Sequence, residues 1–182
     1  MRIALLLLMS LLAGCATQPE IPDVPLSGDG FALTGRVSMK YAAEAASGKL
    51  AWQHDVASDD LLFSTPLGQG VARIVRRDGV VTLTTSENRE FRASDAEALT
   101  QQVLGWRIPL TGLPDWVRGR VSPGTPAETR RDPSGRLSEL RQAGWLVEFV
   151  DYRVGGTLPA RLRLSREDLE IRLVIDTWQP AP

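Results

Sequence analysis

Polar and apolar residues alternate along Phe31-Ala-Leu-Thr-Gly-Arg-Val-Ser-Met-Lys-Tyr41, placing Phe31, Leu33, Val37, Met39 and Tyr41 on one face. A period of two over this length predicts a half-buried strand. Gly48 to His54 follows with Leu50 and Trp52 in phase, and Asp60 to Ser64, containing Phe63, reads as a third strand. The stretch STPLGQG, Ser64 to Gly70, is a turn by its proline and two glycines. Val71 to Val75 is a fourth strand. Asp78-Gly79 is a hairpin signal, Val80 to Thr84 a fifth strand, and a short strand around Phe91 returns from the turn at Ser86-Glu-Asn88.

The period then lengthens. Ser94-Asp-Ala-Glu97 fits a capping box, Ala96, Leu99, Val103 and Leu104 follow at helical spacing, and Gly105 ends the helix. Pro114 suits the first turn of a second short helix through Trp116 and Val117, closed by Gly119. Strands resume at Arg136 to Gln142, Trp145 to Tyr152, Ala160 to Ser165 and Leu169 to Trp178. Nine or ten antiparallel strands with a helical insert and no βαβ rhythm predict a mainly β fold with some α. The expected form is one curved antiparallel sheet, an incomplete barrel, with short helices as a lid over its open side.

The chain has 182 residues and a net charge of −1, with no basic stripe, so nucleic acid is not an expected partner. At the N-terminus, Arg2 precedes an apolar run from Ile3 to Leu12. That run has signal-peptide length and is short for a membrane span. It ends in Leu12-Ala-Gly-Cys15, which resembles the lipobox of bacterial lipoproteins, and Cys15 is the only cysteine. The expectation is a signal peptide over 1–14, a lipid on Cys15, a Pro-, Gly- and Ser-rich tether over 15–30, and one domain over 31–179. Two or more acyl chains anchor a protein stably where one does so marginally. Ala16 follows the cysteine in place of aspartate. By resemblance to the enterobacterial sorting rule, that points to the outer membrane. No cysteine remains for a disulfide, so the fold rests on its core.

Candidate chemistry is sparse. The one histidine, His54, cannot form a multi-histidine metal site and reads as a polar residue at a strand end. The chain has no G-x-S-x-G elbow, S-x-x-K, Walker A or dinucleotide fingerprint. The acidic pairs Asp59-Asp60 and Glu167-Asp168 read as solvated charge at turns, and Arg161 and Arg163 as the outer face of a strand. No enzyme activity, cofactor or metal is expected. The tryptophans, at 52, 106, 116, 145 and 178, suit either core filling or the wall of an apolar cavity.

Together these segments resemble the outer-membrane lipoprotein receptor family, LolB. The likeness runs through Phe31-x-Leu-x-Gly-Arg36, Gly48-Lys-Leu-x-Trp52, Pro66-Leu-Gly68 and Ala93-x-Asp-Ala-Glu97. It continues through Leu104-Gly-Trp106 with Ile108-Pro109, Leu113-x-x-Trp116 with Gly119, Gln142-x-Gly-Trp145, Leu158-Pro159 and Trp178. The Ala42-Ala-Glu-Ala-Ala46 connection departs from the family pattern at a place where members vary. The resemblance implies an incomplete barrel around an apolar cavity that takes acyl chains. The implied partners are a soluble LolA-like periplasmic carrier, acylated lipoproteins and outer-membrane lipid, with the receptor a monomer facing the periplasm. Leu67, held by Pro66 and Gly68, matches the family's exposed loop leucine needed for delivery into the membrane. Strand phase alone names Leu33, Val37, Leu50, Trp52 and Phe63 as candidate cavity lining. A different class, a non-catalytic lipoprotein scaffold for outer-membrane or cell-wall assembly, would have the same anchor and no ligand cavity.

Overall fold

The computed structural model describes residues 28–180, so the signal segment and Cys15 lie outside the described residues. Eleven strands form one open antiparallel sheet in the order β6-β5-β4-β3-β2-β1-β11-β10-β9-β8-β7. They are β1 (Phe31–Tyr41), β2 (Glu44–Asp55), β3 (Ser58–Ser64), β4 (Gly70–Arg77), β5 (Val80–Thr85), β6 (Glu90–Ala93), β7 (Ala127–Arg131), β8 (Leu137–Gln142), β9 (Trp145–Tyr152), β10 (Pro159–Arg166) and β11 (Leu169–Pro180). The helices α1 (Ala96–Leu104) and α2 (Leu113–Val117) join β6 to β7, the two edges of the sheet. One core of inward strand residues and helix residues such as Leu99, Leu113, Trp116 and Val117 fills the concave side.

Three local readings change. The acids at 59 and 60 are not solvated: Asp59 is 1% exposed, and Asp60 is paired with Arg73 at 2.9 Å. His54 is buried as well, one residue before the end of β2. The cap of α1 is Asp95, whose carboxylate accepts from the amide of Ala98, in place of Ser94. A capping box needs its glutamate three residues after the cap. With Asp95 as cap, Glu97 is one residue short, and its carboxylate instead accepts from Arg166 at 2.9 Å.

Antiparallel order puts successive hairpins at alternate ends of the sheet. The amino-terminal end holds the start of β1. The far end holds the β1–β2 turn, the Leu67 loop and the β5–β6, β8–β9 and β10–β11 turns. At about 3.3 Å per residue, the eleven-residue β1 separates these ends by about 35 Å.

Candidate functional site: an apolar space beside an exposed leucine

Strand register divides the concave face into a filled row and an under-filled one. Leu33, Trp52, Leu61, Ile74, Leu83 and Phe91 are successive cross-strand partners from β1 to β6. Large side chains therefore close that row. One step toward the far end the partners are Gly35, Leu50, Phe63, Ala72 and Thr85, and beyond them Val37 faces Gly48. Two glycines and an alanine there leave space that their neighbours do not fill. Gly48 is required for a second reason: a Cβ on it would lie 2.2 Å from the carbonyl oxygen of Ser64.

The space is a cavity of about 140 Å³ bounded by Val37, Met39, Phe63, Ala72, Leu104 and Trp106. A pocket of about 30 Å³ continues inward past Leu50, Leu61, Ile108 and Leu113. Of the candidate lining residues, Val37, Leu50 and Phe63 border these spaces. Leu33 and Trp52 belong to the filled row instead, with Trp52 edge-on to Phe31 at 4.9 Å between ring centroids. Sequence phase could not separate the two groups, because both face inward and only cross-strand register distinguishes them. Met39, Ala72 and Leu104 line the cavity too without a signal in the sequence that marks them as lining, and Trp106 is the one of the five tryptophans on its wall. A larger open recess of about 590 Å³ lies at the far ends of β7 to β10, but Glu128, Arg141, Arg166 and Glu167 line it. Such a charged wall is a poor place for hydrocarbon.

Loop 65–69 adjoins the cavity, since Ser64 and Val71 on its flanks also line it. The amide of Gly68 donates to the carbonyl of Thr65 at 2.9 Å, and that of Thr65 to Gln69 at 2.8 Å. Gly68 has φ +91°. This is a tight turn followed by a left-handed residue, a common three-residue hairpin closure. Pro66 presets the first corner and Gly68 takes the left-handed position without a Cβ penalty. The same hydrogen-bond pattern closes Thr85–Arg89 and Asp132–Arg136, whose corners are Ser86-Glu87 and Pro133-Ser134. Turn geometry therefore does not call for a leucine. Leu67 is 87% exposed, and the other exposed large apolar side chains among the described residues are valines and Tyr41.

The helices are fastened over the sheet by specific polar contacts. Trp116 in α2 donates its indole N–H to Gln142 Oε1 in β8 at 2.9 Å. Glu97 in α1 meets Arg166 and, at 3.4 Å, the indole N–H of Trp145. Among the described residues, no group of three His, Cys, Asp or Glu is placed to hold a metal ion.

Relatives place this arrangement in a family. The family model described as "Outer membrane lipoprotein LolB" matches residues 29–178. A protein named Outer-membrane lipoprotein LolB from Nitrosomonas europaea is 41% identical over 166 residues, covering 89% of this chain and 78% of the relative. One of the same name from Thiobacillus denitrificans is 40% identical over 176 residues, covering 94% and 93%. Among solved structures, a LolA superfamily protein from Nitrosomonas europaea matches with a TM-score of 0.53 at 11% identity, over 87% of this chain and 89% of that one. A putative outer membrane lipoprotein-sorting protein domain from Vibrio parahaemolyticus gives 0.52 at 8% identity, over 85% and 87%. The structural matches share the fold; the sequence matches share the family, and the chain belongs to the outer-membrane lipoprotein LolB family.

Proposed function

We propose that this chain takes acylated lipoproteins from a soluble periplasmic carrier, shelters their acyl chains between the sheet and its two helices, and releases them into the outer membrane at the Leu67 end. Exposing one sixteen-carbon chain to water costs on the order of 12 kcal/mol at about 0.8 per methylene. A lipoprotein with two or three such chains therefore needs apolar surroundings at every handover. A receptor that binds the chains more tightly than the carrier does makes transfer downhill without a nucleotide.

The observation that carries this reading is the apolar space opening beside an exposed leucine at one end of the barrel. The space of about 140 Å³ is below the roughly 300–1,000 Å³ of ordinary ligand pockets. An acyl chain needs more room than this, and on this reading α1 and its following loop lift from β2–β4 to admit it. Family membership favours the receptor over a scaffold.

Geometry bears on how the domain meets the membrane. Gly28 precedes β1 at the end opposite Leu67. Twelve residues lie between it and Cys15, an extended reach of about 45 Å over the thirteen Cα-to-Cα steps. That exceeds the roughly 35 Å length of β1, so a lipid on Cys15 and the Leu67 loop can engage one membrane together.

Mixing the mature chain with carrier loaded with a lipoprotein tests the reading. Cargo should move to the chain and then into liposomes. Cargo that stays on the carrier would refute it.

A further inference from the structure

Four of the five tryptophans have an acceptor for the indole N–H. Trp52 donates to Asp59 at 3.0 Å, Trp116 to Gln142 at 2.9 Å, Trp145 to Glu97 at 3.4 Å and Trp178 to the carbonyl of Pro159 at 3.2 Å. The fifth, Trp106, lines the 140 Å³ cavity, and its Nε1 is buried without a partner. Thr85 Oγ1 is also buried without a partner. Thr85 is the cross-strand neighbour of Ala72, which lines the same cavity. Leaving a donor buried and unpaired is costly, and buried polar groups in native proteins are nearly always paired.

The position of Trp106 is held from both sides. Gly105 is tied to Gln101 through its amide at 3.1 Å and its carbonyl at 3.0 Å. The amide of Ile108 donates to Thr100 Oγ1 at 3.0 Å, and Thr100 is fully buried in α1. The loop that carries Trp106 is therefore clipped to the helix, and the indole is held in place relative to α1.

We propose that the indole N–H of Trp106 donates a hydrogen bond to an acyl carbonyl of the bound lipoprotein. This rests on the reading that the space takes acyl chains. Hydrocarbon accepts no hydrogen bond, so within an acylated cysteine the candidate acceptors are the ester and amide carbonyls that join each chain to its head. Those carbonyls stand where chain meets head group, and Trp106 lines the outer of the two spaces and not the inner one. The hydrogen bond fixes how deep the chains sit and leaves the peptide of the cargo outside.

Binding of two synthetic probes tests this: a dipalmitoyl-S-glyceryl-cysteine peptide, fluorescent at its peptide end, and its dialkyl ether analogue without ester carbonyls. The protein is the mature chain from residue 15 with Cys15→Ala, so that it carries no lipid of its own, with its fold checked by near-ultraviolet circular dichroism. The ester probe should bind several-fold, up to about tenfold, more tightly than the ether probe, as one net hydrogen bond allows. Trp106→Phe, which keeps an aromatic ring, should erase that preference, so that the two probes bind it alike. Equal ester preference in the parent and in Trp106→Phe would overturn the proposal and leave the acyl-chain reading standing. Failure of the parent to bind either probe would overturn both. Displacement of the ester probe by dipalmitoyl phosphatidylglycerol at equal concentration would assign the donor to membrane lipid and overturn its assignment to lipoprotein cargo.

Discussion

His54 and Asp59 face each other across β2 and β3, with Nδ1 of the imidazole 2.6 Å from Oδ1 of the carboxylate. Asp59 gathers two further donors: the Trp52 indole on the same oxygen, and Arg76 Nε on Oδ2 at 2.6 Å. The carboxylate thus sits within a ring of donors in the core, at the end of the barrel where β1 begins.

Removing that carboxylate leaves two buried N–H groups unpaired and Arg76 without its counter-ion. Asp59→Ala should lower stability by about 3–5 kcal/mol, the range for breaking a buried ion pair from one side. Urea unfolding monitored by tryptophan fluorescence gives the number. A loss under about 1 kcal/mol would mean that the ring contributes little.

Gln142 serves as a polar hub with all its capacity used. It accepts from Trp116 and the amide of Ser122, and its Nε2 donates to the carbonyls of Ser122 and Thr125. Gln142→Met keeps the bulk and removes these bonds, so a loss of at least about 2 kcal/mol is expected from the stranded groups. Amide exchange in α2 and in segment 119–126 should rise with it. Unchanged exchange there would show that packing alone holds α2 down.

Tyr152 gives a prediction in pH. Its hydroxyl donates to the carbonyl of Leu137 at 2.6 Å, and burial pushes its pKa up to about 12, although the Arg136 cation above the ring opposes this. An unfolded tyrosine ionises near 10. Between about pH 10 and pH 12 the unfolded chain has lost this proton and the folded chain keeps it, so stability falls as pH rises through that window. The contribution is intact below pH 10. Stability curves of the parent and Tyr152→Phe should therefore converge as pH climbs from 10 to 12. Parallel curves would show that Tyr152 ionises alike in both states.

Cys15 should carry lipid in the mature protein, and the protein should fractionate with the outer membrane. Mass spectrometry of the mature N-terminus checks this, and an intact 1–14 segment or a bare thiol would refute it.

The strands most legible in the sequence were those with one dry face, such as β1 and β11. Strand β7 escaped because Ala127–Arg131 is exposed along its whole length and carries no alternation to read. Asp59 was misjudged for a related reason: phase places it inward with Leu61 and Phe63, but its charge argued for solvent until its donors on neighbouring strands were visible. The cavity was legible as an inward face and no further. Its location depends on Gly35, Gly48 and Ala72 falling near one another, and only strand register brings them together. The turn at 65–69 is legible from Pro66 and Gly68, because it is local chemistry; an exposed Leu67 is what the family resemblance implies and not something the three residues dictate.

Substitution of Leu67 should separate uptake from delivery. Its side chain makes little contact with the core, so substitution should change stability by no more than about 0.5 kcal/mol. Leu67→Glu leaves the cavity lining untouched and should accept cargo from the carrier at the parental rate. Delivery should then fail, because a carboxylate resists entry into hydrocarbon. Leu67→Ala removes most of the apolar area without adding charge, so its defect should be intermediate. Burying a leucine side chain contributes about 1.5–3 kcal/mol, a brief and reversible touch on the bilayer. Handover from carrier to receptor and release from receptor to liposomes are measured in separate reactions. Normal release by Leu67→Glu would show that the leucine does not probe the membrane. Loss of handover as well would place Leu67 in the contact with the carrier.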